Sequence, residues 1–236
     1  MKKILQRANE RGHADHGWLN AHHSFSFASW YDAAKVHFGM LRVLNDDIVA
    51  PGEGFGSHPH NDMEIITIIF EGALEHKDNM GNGSVIKPGD VQVMSAGTGV
   101  MHSEFNPSKT ERVNLFQLWI FPKEKGIKPH YDQKTFSTAD RINKFQPVAS
   151  GFKKDGALYI HQDALLSLSD IEKGKTISYN MAKAGNGAYI MVINGKVEVE
   201  GETLSRRDAL GIYETESFTI KALEDSQLLV IDVPMN

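Results

Sequence analysis

Two pairs of side chains with metal-ligating chemistry lie in the first half of the sequence, and each pair has the i, i+2 spacing of one strand face. His58 and His60 lie in the segment GFGSHPHNDME, and His102 and Glu104 lie in the segment SAGTGVMHSE. Successive side chains of a strand point to opposite faces, so residues at i and i+2 point the same way. Two such strands facing each other inside a barrel would bring three imidazoles and one carboxylate to one point.

This set of ligands predicts the class of metal ion. Three neutral imidazoles and a carboxylate suit a first-row divalent ion such as iron, manganese, nickel or copper. Zinc accepts the same ligands, although structural zinc sites favour thiolates and the chain has no cysteine. Four protein ligands leave a coordination position open, where a substrate oxygen or O2 can bind. The alternative is that these four polar side chains lie on exposed strand faces and are unrelated to one another. Chance readily accounts for one such pair, but less readily for two.

Length and composition exclude several classes of protein. A chain of 236 residues can bury a sizeable core without disulfides, and the absence of cysteine fits a reducing compartment. The net charge of −5 gives no electrostatic reason to expect direct binding of nucleic acid. The N-terminal segment lacks the apolar core of a signal peptide, and no apolar run has the length of a membrane span. We therefore expect a cytoplasmic protein that does not bind membranes.

Short apolar runs separated by turn signals follow one another along the chain and predict strands. In the first half these runs cover residues 22–32, 38–47, 63–72, 74–97 (a hairpin that turns around 79–83) and 113–122. In the second half they cover residues 157–164, 176–182, 188–201, 209–214, 217–222 and 226–234. Many short strands at this spacing are typical of an all-β sandwich or barrel.

A polar segment at residues 123–150 separates the two series of predicted strands. It contains one short predicted helix, with Ser137 as its N-cap and Asp140 in its first turn. We interpret the segment as the connection between domains. The predicted domains are residues 1–135, which carry the metal site, and residues 136–236.

The two halves of the chain have similar sequence patterns. The segments FEGALE and PGDVQVMS in the first half correspond to INGKVE and RRDALGIY in the second. When Gly195 is aligned with Gly72, Met181 and Lys183 take the positions of the first pair of histidines. The pattern therefore predicts a tandem duplication in which only the first barrel can hold a metal ion.

Other acidic and imidazole side chains are assigned more ordinary roles. Glu64 is expected to hydrogen-bond the second ring nitrogen of a ligand rather than to bind the metal. His76 is expected on a solvated arm of the hairpin. The remaining histidines are expected to make ordinary structural hydrogen bonds; those singled out are His13, His16, His22, His23, His37 and His161.

The ordered segments RANERGHADHGWLNAHHSFSFASWYD, HPHNDME and AGTGVMHSE, with looser similarity through the second half, resemble the pirin family of bicupins. Within that family the chain is similar to bacterial pirin-like proteins assigned quercetin 2,3-dioxygenase activity. The resemblance implies an all-β fold of two tandem cupin barrels (double-stranded β-helix, or jelly-roll) with few short helices. It also implies that the N-terminal cupin alone holds one divalent metal ion. The family's ligands carry over onto His58, His60, His102 and Glu104, with iron as the first expectation and copper, manganese, nickel or zinc as alternatives.

The resemblance further implies a dioxygenase that cleaves the heterocyclic ring of a flavonol such as quercetin with O2 and releases carbon monoxide. Glu104 is then the candidate base for the proton of the substrate's 3-hydroxyl group. An apolar slot lined by residues such as Phe55, Met101 and Phe105 is expected to hold the planar substrate. The alternative from another class is a metal- and redox-responsive protein whose partner is a transcription regulator. A purely structural metal site is a third hypothesis.

Overall fold

The computed structural model describes residues 1–152 and 156–236, and in these ranges the fold consists of β-strands with two short 3₁₀ helices. The strands form four sheets, two with seven strands and two with four. One sheet of each size belongs to each half of the chain, so the protein is built from two barrels. The predicted all-β architecture of two barrels with few short helices is confirmed. No helix in the described ranges is long and apolar enough to cross a membrane.

The strands of the first half are β1 (Lys2–Gln6), β2 (Gly12–Asp15), β3 (Leu19–His23), β4 (Leu41–Val49), β5 (Gly54–His60), β6 (Glu64–Glu71), β7 (Leu74–Asp78), β8 (Gly83–Ile86), β9 (Asp90–Ser95), β10 (Val100–Phe105), β11 (Val113–Ile120) and β12 (His130–Thr135). Within the N-terminal barrel the order of the large sheet is β12-β9-β6-β11-β4-β3-β2, and that of the small sheet is β5-β10-β7-β8. A 3₁₀ helix covers Ala8–Glu10.

The strands of the second half are β13 (Gln146–Ser150), β14 (Leu158–Tyr159), β15 (Leu165–Ile171), β16 (Thr176–Asn180), β17 (Asn186–Asn194), β18 (Lys196–Val199), β19 (Glu202–Ser205), β20 (Ala209–Tyr213), β21 (Ser217–Ala222) and β22 (Ser226–Pro234). Within the C-terminal barrel the order of the large sheet is β1-β20-β17-β22-β15-β13-β14, and that of the small sheet is β16-β21-β18-β19. Strand β1 is thus paired with β20, at the edge of the second barrel's sheet. We propose the division into residues 1–135 and 136–236 that the sequence predicts, with β1 as an exception.

The two large sheets pack against each other, and their facing side chains form the largest apolar cluster of the protein. In the N-terminal barrel this cluster includes Leu44, Ile66 and Phe116, and in the C-terminal barrel it includes Met191 and Ile231. The large sheets are therefore covered on both faces. This explains why strand β6 has the nearly continuous apolar sequence EIITIIF rather than a strict alternation of apolar and polar residues.

Strand β4 shows how the two faces are used. Leu44 joins the apolar cluster between the barrels, and Asp46 borders a cavity on that same side. Asn45 and Asp47 border a cavity inside the N-terminal barrel, where Val49 joins an apolar cluster. Adjacent residues of one strand therefore belong to two different environments, as the alternation of side chains in a strand requires.

The duplicated hairpins predicted from the glycines are present in both barrels. Gly72 lies between β6 and β7, and Gly195 lies between β17 and β18. Both glycines have a positive φ, of 74° and 87°, and a Cβ at either position would overlap a backbone carbonyl oxygen, that of Arg112 or of Asp225. Only glycine fits such a turn without strain.

Two predictions differ from the structure in detail. The predicted strand at residues 22–32 ends at His23, because the chain then leaves the sheet and Phe25 packs between the barrels. The polar segment 123–150 is more than a connection, because it contains β12, a 3₁₀ helix at Thr138–Arg141 and β13. Ser137 lies at the N-cap position of that helix, as predicted, but its side chain makes no capping hydrogen bond.

Candidate metal centre

The three predicted histidines meet on the inner face of the small sheet of the N-terminal barrel. Strands β5 and β10 are antiparallel, and their register places His102 opposite His58 and Val100 opposite His60. The Nε2 atoms of His58 and His102 lie 3.0 Å apart. One ring nitrogen from each of the three histidines lies within 4.8 Å of the other two. The i, i+2 spacing therefore brings the imidazoles together as the sequence predicts.

Glu104 follows His102 on the same face of β10, after an irregularity in the pairing with β5. The carboxylate is buried, and its Oε2 atom accepts a hydrogen bond of 2.8 Å from Nε2 of Gln117. Its Oε1 atom is buried without a hydrogen-bond partner among the described residues. One oxygen of Glu104 lies within 4.8 Å of a ring nitrogen of His102 and of another imidazole, that of His76.

The protonation of these groups suits a divalent cation. Burial lowers the pKa of His60 to about 4 and that of His102 to about 3, and the neighbouring His58 contributes to both shifts. At neutral pH both rings are uncharged and present a lone pair. Burial raises the pKa of Glu104, and its Oε1 atom has no hydrogen-bond partner in the part of the chain that the structure describes. A cation bound by the three histidines would also lie near the carboxylate of Glu104, which is within 4.8 Å of a ring nitrogen of His102, so the residues fit a divalent metal ion.

The orientation of His58 is fixed by the backbone. Its Nδ1 atom lies 2.8 Å from the carbonyl oxygen of Gly56, which can only accept a hydrogen bond. Nδ1 therefore carries the proton, and Nε2 is left with its lone pair directed at the other imidazoles. This backbone contact selects the tautomer that a metal ligand at Nε2 needs.

His76 was expected on a solvated arm of the hairpin, and this expectation is wrong. The residue is fully buried on β7, where it lies opposite Glu104 in the pairing with β10. Its Nδ1 atom lies 3.5 Å from Nδ1 of His102, and its Nε2 atom lies 3.2 Å from Oδ2 of Asp78. The ring also stacks on Tyr131, with 4.7 Å between ring centroids. His76 lies two residues after Leu74 on the same strand, so the two side chains share a face. The apolar Leu74 is therefore the sequence signal that His76 is buried.

The expected role of Glu64 is also wrong. The carboxyl is buried at the start of β6, and its Oε2 atom accepts hydrogen bonds from Oγ of Ser95, at 2.7 Å, and from the backbone N–H of His161, at 3.1 Å. The residue therefore connects the first barrel to a loop of the second. It does not hydrogen-bond any of the four predicted ligands.

A cavity of about 430 Å³ opens beside the imidazoles, inside the N-terminal barrel. Four aromatic side chains form most of its apolar wall: Trp18, Phe27, Phe55 and Trp119. Phe55 is therefore correctly predicted as a lining residue. Met101 and Phe105 are not, because they lie on the opposite face of β10 from His102 and are 39% and 37% exposed.

Part of the lining of this cavity is polar, and the sequence does not predict it. His23, Asn45 and Asp47 border the cavity from strands β3 and β4, and Nδ1 of His23 lies 2.9 Å from Oδ1 of Asn45. Burial, together with the charges of Asp46 and Glu104, raises the pKa of Asp47 to about 8. Asp47 is therefore largely protonated at neutral pH and can donate a hydrogen bond into the cavity.

The second barrel has a different interior at the positions equivalent to the histidines. Met181 packs against an apolar cluster, and Lys183 makes an ion pair of 2.6 Å with Asp163. That cluster contains large buried side chains such as Phe218. In the described part of the second barrel, no three histidine or carboxylate side chains lie close enough to hold an ion.

Family models match most of the chain. The model described as Pirin matches residues 5–120, and the model described as Quercetinase C-terminal cupin domain matches residues 147–233. The chain is 46% identical over 230 residues to the quercetin 2,3-dioxygenase of Escherichia coli strain K12, which covers 98% of both chains. It is 47% identical over 222 residues to a pirin-like protein of Caulobacter vibrioides, which covers 94% of this chain and 95% of that one.

The fold is also similar to that of a solved structure. The crystal structure of the bacterial pirin YhhW from Escherichia coli in complex with nickel(II) superposes with a TM-score of 0.93, and the two chains are 44% identical. The similarity covers 99% of each chain.

Proposed function

The chain belongs to the pirin family, and from this premise we propose that it is a metal-dependent dioxygenase that acts on flavonols such as quercetin. The reaction would incorporate both atoms of O2, cleave the heterocyclic ring and release carbon monoxide. The observation that carries the proposal is that His58, His60 and Glu104 border a cavity with aromatic walls, and that His102 lies beside them. Relatives named quercetin 2,3-dioxygenase support the choice of substrate class.

The ligands of the metal ion would be His58, His60, His102 and Glu104. A bound divalent ion would supply positive charge that lowers the pKa of a substrate hydroxyl group. Its identity is proposed as iron, with nickel, copper, manganese and zinc as alternatives; the similar pirin from Escherichia coli was solved with nickel(II).

Glu104 is the proposed base. Its Oε1 atom is buried and without a partner among the described residues, so it is available to accept the proton of the substrate's 3-hydroxyl group. Gln117 holds the other oxygen in place and leaves Oε1 as the free one. Burial raises the pKa of this carboxyl, which increases its strength as a base once it is ionised.

The cavity can bind and orient a planar, polyhydroxylated ring system. Its volume of about 430 Å³ lies within the common range for small-molecule sites, roughly 300–1,000 Å³. Trp119 and Phe55 would contact the faces and edges of the aromatic rings. Asn45 and Asp47 border the same cavity and offer hydrogen bonds to hydroxyl groups of the substrate.

The test compares protein loaded with each candidate metal for loss of quercetin absorbance and for release of carbon monoxide. His58→Ala is expected to reduce both signals to the level of protein-free buffer. The matched control is His130→Ala, which removes an exposed imidazole on β12 outside the cavity and is expected to leave the rate unchanged. Equal turnover by the wild-type protein and His58→Ala would refute the proposal.

A further inference from the structure

A second cavity, of about 330 Å³, lies between the two barrels on the side of β4 that faces away from the metal centre. Its charged lining consists of four arginines and two carboxylates: Arg11, Arg112, Arg206, Arg207, Asp46 and Glu71. We call this cavity the arginine pocket. Positive charge exceeds negative charge by two in its lining, whereas the whole chain has a net charge of −5. The pocket is therefore a local concentration of cations on an acidic protein.

The floor of the pocket contains one arginine that is fully paired. Nε of Arg207 donates to Oδ2 of Asp46 at 2.8 Å, and its Nη2 donates to Oδ1 at 3.3 Å. Its other contacts include the carbonyl oxygen of Ile193 and the face of the Phe116 ring. Asp46 also accepts a hydrogen bond of 3.0 Å from Asn114. The charge of Asp46 is thus already committed to Arg207.

Arg11 is buried beside this pair without a comparable partner. Its side chain is 4% exposed, and its Nη2 atom lies 3.6 Å from Oδ2 of Asp46, which is longer than a hydrogen bond. Its Nη1 atom is buried and has no hydrogen-bond partner among the described residues. Burial lowers the pKa of Arg11, Asp46 opposes this shift in part, and the charge of Arg206 adds to it. A buried guanidinium without full pairing is costly, because it has lost its hydration.

The rim of the pocket adds a second cation that no carboxylate of the described residues pairs with. Arg112 pairs with Glu71 at 3.2 Å, so these two charges compensate each other. Nε of Arg206 donates to Oδ1 of Asn194, an uncharged acceptor, at 3.0 Å. Arg11 and Arg206 thus account for the surplus of two positive charges, and they come from opposite barrels.

We propose that the arginine pocket binds a phosphate group, supplied by inorganic phosphate or by a small phosphate monoester. A phosphate dianion matches the surplus charge, and its oxygens suit the planar, divergent N–H donors of guanidinium groups. A bound phosphate would contact Arg11 from the N-terminal segment and Arg206 from the second barrel, so it would also stabilise the packing of the two halves.

The experiment is calorimetric titration of the metal-loaded, full-length protein with sodium phosphate and, separately, with glycerol 3-phosphate. Sodium chloride at equal ionic strength provides the reference for screening. Saturable binding of one phosphate per chain is expected, together with a rise in the melting temperature. Tighter binding of inorganic phosphate would identify the free ion as the ligand, and tighter binding of glycerol 3-phosphate would identify a monoester. Absence of binding beyond the chloride reference in both titrations would overturn the proposal.

Variants of the pocket arginines test whether the phosphate binds in the arginine pocket. Arg206→Gln and Arg11→Gln are each expected to weaken binding by at least about tenfold, because each removes a charge-assisted hydrogen bond. Arg206 is exposed, so Arg206→Gln is expected to fold normally. It therefore tests phosphate binding even if Arg11→Gln does not fold. Lys221→Gln, which removes one positive charge from β21, is expected to leave affinity unchanged. Unchanged affinity in Arg206→Gln would overturn the proposal, and so would loss of binding in His58→Ala, because the phosphate would then lie at the metal centre.

Discussion

Asp47→Asn is expected to remove a specific dependence of stability on pH from the metal-free protein. The carboxyl is buried in the polar wall of the metal cavity, and its pKa rises from 3.8 to about 8 on folding. Between these two values the folded state binds one proton more than the unfolded state, so stability falls as pH increases. The loss begins above the unfolded pKa and is complete above the folded pKa.

The magnitude follows from the size of the shift. One pKa unit corresponds to about 1.4 kcal/mol, so this carboxyl lowers the free energy of unfolding by about 1.4 kcal/mol for each pH unit between 5 and 7. Asparagine resembles the protonated acid in shape and does not titrate. The stability of Asp47→Asn relative to the wild-type protein should therefore rise by about 3 kcal/mol from pH 5 to pH 7.

Urea unfolding of chelator-treated protein at several pH values in this range measures the effect, with the stability of each variant extrapolated to water. Asp132→Asn removes the same charge from an exposed side chain of β12 and serves as the control. Its difference in free energy of unfolding from the wild-type protein should stay constant across this pH range. Addition of a divalent metal should reduce the pH dependence of stability that Asp47 causes, because nearby positive charge stabilises its ionised form. A stability difference that is constant, or that falls as pH rises, would refute the assignment of a raised pKa.

Two further predictions separate the metal centre from the rest of the fold. Gln117→Leu removes the donor that holds Oε2 of Glu104, so metal affinity measured by calorimetry should fall by about 10- to 100-fold, and unchanged affinity would contradict the positioning role. Phe218→Ala leaves a cavity in the second barrel and should lower the free energy of unfolding by about 3–5 kcal/mol without changing metal affinity, which chemical denaturation and the same calorimetry would check.

The features that the sequence predicted well are those that depend on local periodicity. Strand β6 follows from a β-branched run that stops at a glycine, and the grouping of His58, His60 and His102 follows from i, i+2 spacing on paired strands. These patterns are readable because a strand's geometry fixes which side chains share a face. The same alternation places Met101 on the face of β10 opposite to His102, so its prediction as a lining residue was avoidable.

The features that the sequence did not reveal depend on contacts between distant segments. Whether a carboxylate such as Asp47 faces solvent or a cavity is decided by the strands that cover it, and a buried strand carries no polar–apolar alternation to show this. Glu64 meets the backbone of His161, which lies in the other half of the chain. The arginine pocket likewise joins residues almost two hundred positions apart. The hypothesis of a transcription-regulator partner stays a prediction.

The pairing of β1 with β20 has a consequence for synthesis of the protein on the ribosome. Lys2 pairs with Tyr213, so β1 waits for a partner that is synthesised about 200 residues later. At roughly 5–20 residues per second this delay is on the order of 10–40 s. The N-terminal barrel can assemble during that interval, but the segment at Lys2–Gln6 must remain unpaired until the second barrel emerges. Synthesis of the second barrel, rather than of the metal-binding half, therefore sets the earliest time at which the native sheet can close.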